Sequence, residues 1–238
     1  MRADDPNLAI LTVIAQALGD LKEDLVFVGG CAAGLLLTDP AVDHIRATKD
    51  VDAIVEAATL QDFYGAEARL RARRFMPDSA GEVICRWRHQ DSGVLFDMMP
   101  IDPGVLGFAN RWYPEAVQTA TRQPLSPALE IRLIAAPAFV ATKLEAFVSR
   151  GQRDYLVSHD LEDVLTVVDG RPSLATEMLG ASPGLRAAVR EEFAQLIATP
   201  DFIDRLPGLI ADESRWQVVL ARLQAMALPQ AQDRESKA

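Results

Sequence analysis

The chain has 238 residues, 49% of them apolar and 24% charged, which suits one large or two modest globular domains with a proper core. Its net charge of −10, from 24 basic and 34 acidic side chains, argues against a protein that grips long duplex DNA through its phosphates. No apolar run reaches the roughly 18 residues of a membrane span. The acidic start MRADDPNLAI lacks the basic-then-apolar pattern of a secretory signal, so a cytoplasmic protein without a membrane partner is expected. Cys31 and Cys85 make neither a metal-ligand spacing nor a disulfide framework and are expected as reduced, buried thiols. His44, His89 and His159 are scattered, which disfavours zinc.

In chain order, Leu8, Leu11, Ile14, Ala15 and Leu18 have helical spacing, closed by Gly19. Leu25 to Val28 is a short apolar run that reads as a buried strand ending in Gly29-Gly30. Cys31 to Thr38 reads as a helix of about two turns, with Gly34 marking a close neighbour. Asp50 to Glu56 reads as a second strand and Leu60 to Arg74 as a helix. The basic end of that helix (Arg69, Arg71, Arg73, Arg74) can complement the helix dipole or receive an anionic substrate. Glu82 to His89 and Val94 to Met99 flank the turn signal Gln90-Asp91-Ser92-Gly93 and read as an antiparallel hairpin. Short strands are expected at Val117–Thr121 and Leu129–Ile134. From Pro137 the pattern is helical. One stripe runs to Arg150, a helix capped by Ser158 runs from His159 to Val168, and further helices run from Ser182 to about Ala198 and from Glu213 to Met226. The layout is α+β, with a mixed α/β part over 1–135, a helical part over 136–228, and a tail over 229–238 expected to be disordered.

The chemistry concentrates in two places. On a strand, Asp50 and Asp52 point to the same face with Cα atoms about 6.6 Å apart. Asp97 is a charge inside an otherwise apolar strand, which is costly unless paired or metal-bound. Brought within about 5 Å at an effective dielectric near 20, each carboxylate pair repels by roughly 3 kcal/mol. Such a trio needs cations, unless the acids stand apart or are protonated. Oxygen ligands select Mg²⁺ or Mn²⁺. Gly29 and Gly30 lack a Cβ, so their backbone can approach a phosphate at the start of the following helix, although a tight turn alone would also use them. Neither Gly-Lys-Ser/Thr nor Gly-x-Gly-x-x-Gly occurs, which removes the P-loop and Rossmann readings.

LVFVGG followed by IRATKDVDAIV resembles the first signature of the nucleotidyltransferase superfamily that includes DNA polymerase beta. The Arg46-x-Thr48-x-Asp50-x-Asp52 run is similar to AbiEii-type bacterial nucleotidyltransferases of toxin–antitoxin systems, and Asp97 matches the third acid. The resemblance covers about residues 25–100. Lys143-Leu144-Glu145-Ala146 and His159-Asp160-Leu161-Glu162-Asp163 resemble that group's later helix motif, with His159 where Arg is usual. Cys31 stands where many relatives carry a hydroxyl. The resemblance implies a mostly antiparallel mixed sheet with flanking helices. It also implies Mg²⁺ (or Mn²⁺) on Asp50, Asp52 and Asp97, and transfer of an NMP from an NTP, ATP included, to a hydroxyl. Gly29, Gly30, Arg46, Thr48, Lys49 and Lys143 would contact the nucleotide, with Asp160 and Asp163 orienting Lys143 or an acceptor. The acceptor would be a tRNA, a protein or a small molecule, and a cognate antitoxin would be the partner. A catalytically silent binding or regulatory protein on the same fold is the alternative.

Overall fold

The computed structural model describes residues 4–42, 44–57, 59–78 and 84–228. The tail expected over 229–238 and the start of the strand expected from Glu82 lie outside the described residues. The chain divides into two compact units. One comprises the residues up to Leu35 with Ile45–Ala135, and the other comprises Leu36–His44 with the residues from Ala136 onward.

The first unit is α+β. Its elements are α1 (Leu8–Leu18), β1 (Leu25–Val28), α2 (Ala33–Leu36, whose last residue falls in the second unit), β2 (Asp50–Val55), α3 (Leu60–Ala72), β3 (Phe75–Pro77), β4 (Arg86–His89), β5 (Leu95–Pro100), α4 (Pro103–Leu106), α5 (Tyr113–Gln118), β6 (Thr121–Ser126) and β7 (Leu129–Leu133). The strands form one sheet in the order β3-β4-β5-β2-β1-β7-β6. The β2–β5 and β1–β7 pairings are parallel and the other four antiparallel, so the sheet is mixed and mostly antiparallel, as expected.

Strand alternation gives this sheet two different faces. Phe27, Val51, Ala53, Phe96, Met98 and Trp87 lie in one core cluster with Leu11, Ile14 and Leu18 of α1 and Phe63, Ala66 and Leu70 of α3. Each large side chain buried there contributes about 1.5–3 kcal/mol. The other face of β2, β4 and β5 carries Asp50, Asp52, Arg86 and Asp97. Thr59 and Asp62 form a reciprocal capping box that starts α3. Cys31 and Cys85 are both buried, as expected.

Two expectations need correction. Val117 falls in α5 and not in a strand, because Pro114 sits in a helix's first turn, where no backbone N–H is missed, and Ala116 and Val117 form its buried side. The strand begins only at Thr121. The two-turn helix after the glycines is a 3₁₀ turn, Gly30–Ala32, followed by the four residues of α2. Its dipole is accordingly short.

The second unit is helical: α6 (Ala136–Ser149), α7 (His159–Gly170), α8 (Leu174–Met178), α9 (Pro183–Ile197), α10 (Pro200–Leu209) and α11 (Trp216–Ala227). Ser158 and Ser182 cap α7 and α9 by accepting from Leu161 N and Leu185 N. α8 and α10 have no counterpart in the sequence reading; α8 is only five residues, and α10 contains Pro207. Residues 36–44 join this unit through the C-terminal end of α7. Thr38 N and Asp39 N both donate to Gly170 O at 2.8 Å. Arg215 binds Asp169 at 2.8 and 3.0 Å and Asp39 at 2.9 Å. No described helix is long and apolar enough to cross a membrane.

Removing Arg215 would leave Asp169, itself 5% exposed, without its guanidinium. We expect Arg215→Leu to destabilise the helical unit by about 3 kcal/mol, read from the midpoint of chemical unfolding. A change below about 0.5 kcal/mol would show that the pair contributes nothing there.

Candidate active site

The site is built by strand register. Asp52 of β2 lies directly opposite Asp97 of β5, and Asp50 lies opposite Leu95. Parallel partners share a face, so the three carboxylates converge on one side of adjacent strands. On β4, the antiparallel register sets Arg86 opposite Asp97.

Arg86 is the residue that sequence reasoning missed. Its Nε donates to Asp97 Oδ1 at 2.8 Å and its Nη2 to Asp97 Oδ2 at 2.7 Å. The same Nη2 donates to Asp50 Oδ2 at 2.5 Å. The Arg86 pKa is raised, first by its hydrogen bond to Asp97 against the effect of burial, then by the charges of Asp97, Asp50 and Asp52. All three acids therefore act on one guanidinium. At contact and an effective dielectric near 20, Asp97 and Asp50 each attract it by about 4 kcal/mol, against about 3 kcal/mol of repulsion per acid pair. One arginine offsets much of the repulsion that had seemed to demand ions.

Two details fix Asp52. It pairs with Val28, the residue before Gly29. Gly29 has φ +72°, and a Cβ there would stand 1.9 Å from Asp52 Oδ2. Its missing side chain therefore makes room for the carboxylate, and the positive φ favours glycine independently. Gly30 is buried at the start of the 3₁₀ turn.

The segment leading into β2 is held by a second missed residue, Asn7. It is fully buried and makes no side-chain cap to α1. Its Nδ2 donates to Arg46 O at 2.9 Å, and its Oδ1 accepts from Thr48 N at 2.8 Å. Thr48 Oγ1 donates to Asp50 O at 3.1 Å. Thr48 and the Arg46 backbone thus carry structural bonds that aim β2. Lys49 is exposed.

The acids also reach Cys85. Burial first, then Asp97 and Asp52, push its thiol up to about 12. It stays protonated at neutral pH and cannot serve as a nucleophile there.

The other predicted residues lie in the helical unit. Lys143 on α6 is 8% exposed, and its Nζ meets Asp160 Oδ1 at 3.0 Å and Asp163 Oδ2 at 2.7 Å. Arg150 binds Asp160 at 3.2 Å through Nε and Nη2. Asp160 and Asp163 thus hold Lys143 in place. Burial raises the Asp160 carboxyl, but Lys143 and Arg150 outweigh it and hold the pKa below its ordinary value. His159 is exposed and faces Glu162 Oε2 at 3.1 Å.

The basic end of α3 is occupied by the protein's own acids. Arg69 binds Asp24 at 2.5 Å, Arg73 binds Asp20, Arg74 meets Asp91 at 2.7 Å, and Arg71 lies over the Trp87 ring. This pairing favours the structural reading of the cluster over an anion-receiving patch.

The donor set of Asp50, Asp52 and Asp97 is all oxygen and suits Mg²⁺ or Mn²⁺ chemically. As arranged, its cation is Arg86, and no three acidic, His or Cys side chains among the described residues stand ready to hold a metal. A cavity of about 530 Å³ in the first unit, lined by residues such as Asp24, Glu56, Asp62, Arg69 and Arg132, contains none of the three acids. Neither does one of about 260 Å³ in the helical unit, lined by residues such as Tyr155, Leu165 and Ile210.

No family model and no curated protein matches the chain. Among solved structures it is similar to an antigenic nucleotidyltransferase-like protein from Paracoccidioides brasiliensis, at a TM-score of 0.47 and 21% identity, over 84% of this chain and 91% of that one. A likeness at that level decides nothing about activity, and the functional reading rests on the residues.

The depressed Asp160 pKa has a pH consequence. Its pairing stabilises the fold fully above the ordinary carboxyl value of 3.8, and the contribution is lost as pH falls through the lower folded value. Unfolding titrations between neutral pH and pH about 2 should show a steeper acid loss for wild type than for Asp160→Asn. Parallel curves would mean that the pairing does not contribute.

Proposed function

We propose that the protein is a divalent-metal-dependent nucleotidyltransferase that moves an NMP from an NTP to a hydroxyl acceptor. The observation that carries this reading is the register match of Asp52 with Asp97, with Asp50 on the same face. Asp50, Asp52 and Asp97 would hold Mg²⁺ or Mn²⁺, which supplies charge neutralisation at the triphosphate and Lewis acidity at phosphorus. In the transfer, the acceptor oxygen bonds to the α-phosphorus, the bond to pyrophosphate breaks, and a cluster carboxylate such as Asp97 takes the hydroxyl proton. Gly29 keeps the backbone low where Asp52 and a phosphate must come close. A role for Lys143 at the phosphates follows from the family resemblance alone; within the helical unit its ammonium is fixed by Asp160 and Asp163. Roles for Arg46, Thr48 and Lys49 at the nucleotide, an acceptor of the tRNA or protein class, and a cognate antitoxin follow from the family resemblance alone.

A second reading has a specific observation behind it. Arg86 compensates the acids without any metal, as a purely structural network would require. A catalytically silent nucleotidyltransferase fold, acting as a binding or regulatory partner, would look like this.

Incubation with labelled NTPs and Mg²⁺ over RNA, protein and small-molecule acceptors separates the two. Wild type should transfer label with release of pyrophosphate. Asp52→Ala should lose at least about 100-fold of that rate, in line with removing a principal charge-stabilising group. Transfer by Asp52→Ala at the wild-type rate would refute the site.

A further inference from the structure

The acid cluster contains its own cation, held by more than proximity. Arg86 forks both oxygens of Asp97 and reaches across to Asp50 with the Nη2 that also serves Asp97. Such bidentate guanidinium–carboxylate contacts are strong and directional. They engage the same oxygens that a divalent ion would need. The Asp97 side chain is only 8% exposed, so little water is available to share its lone pairs between two cations. A guanidinium and a divalent ion on the same carboxylates would also repel each other. The neighbouring Arg88 is not an alternative source of the charge, since it bonds Gly93 O at 3.1 Å and Asp78 at 3.3 Å.

We infer that Arg86 is a built-in competitor of the divalent ion. An ion that binds Asp50 and Asp97 displaces the guanidinium from them, so the resting protein has a low metal affinity set by this residue. The inference rests on the nucleotidyltransferase reading, because it takes the three acids as the metal site. It adds that the site is guarded, and that metal loading and a side-chain movement of Arg86 are one event. Arg86 is thus a positioning residue for the acids in the resting state and a brake on their loading.

The test is Mn²⁺ binding to the full chain, read from the loss of the free-ion paramagnetic signal, for wild type, R86Q and R86K. Circular dichroism checks that each variant is folded. R86Q should bind Mn²⁺ at least about tenfold more tightly than wild type, and R86K by a smaller factor, because lysine keeps the charge but not the fork. If R86Q does not fold, the R86K comparison carries the same prediction. Independently, saturating wild type with Mg²⁺ should shift the Arg86 Nε–H resonance away from its carboxylate-bonded position. Equal affinity in wild type and both variants, with the resonance unmoved, would overturn the competition and leave the metal-dependent transferase reading intact. Absence of Mn²⁺ binding by wild type and folded R86Q alike would overturn both, and would assign the cluster to a structural network.

Discussion

Three carboxylates on one face of adjacent strands repel, and the sheet can keep them there only if positive charge is supplied. In this protein Arg86 supplies it from the neighbouring strand, with two bonds to Asp97 and one to Asp50. The rest of the first unit follows from that requirement. The opposite face of the sheet is apolar and packs on α1 and α3, which forces the charged set onto a single side. Gly29 leaves the space that Asp52 fills. Asn7 ties down the segment that delivers Asp50 and Asp52. Even the Cys85 thiol is kept protonated in part by the same acids.

Much of this was legible in the sequence. The alternation in DVD places Asp50 and Asp52 together, and the lone acid in VLFDMM singles out Asp97, because strand period and the cost of a buried charge are local properties. The cation was harder to see. Carboxylate repulsion by itself is met equally by metal ions, distance or protonation, and does not point to an arginine on the partner strand. The information was nonetheless present in the hairpin. His89 N donates to Val94 O at its closing end, and counting pairs back from there sets Arg86 opposite Asp97. Register is fixed by the turn, and a one-residue slip would have sent Arg86 to the apolar face.

Other features were not readable because they depend on distant partners. Asn7 stands just before α1, and its amide is spent on Arg46 and Thr48 some forty residues on. Lys143 could as well have been a surface lysine on α6, and only the packing of α7 shows that two aspartates hold it. The Val117 segment is β-branched but is drawn into a helix by the proline before it. The two units therefore hold separate ion clusters. Among the described residues, Lys143 and Arg150 pair with Asp160 and Asp163 in one, and Arg86 acts with three acids in the other.

The interaction at the centre of this picture can be measured without any substrate. Chemical unfolding of wild type, R86Q, D97N and the double variant, in the presence of a chelator, yields the coupling between guanidinium and carboxylate. A coupling of about 2 kcal/mol or more is expected if Arg86 is the cation that holds the cluster together. A coupling within about 0.5 kcal/mol of zero would contradict it.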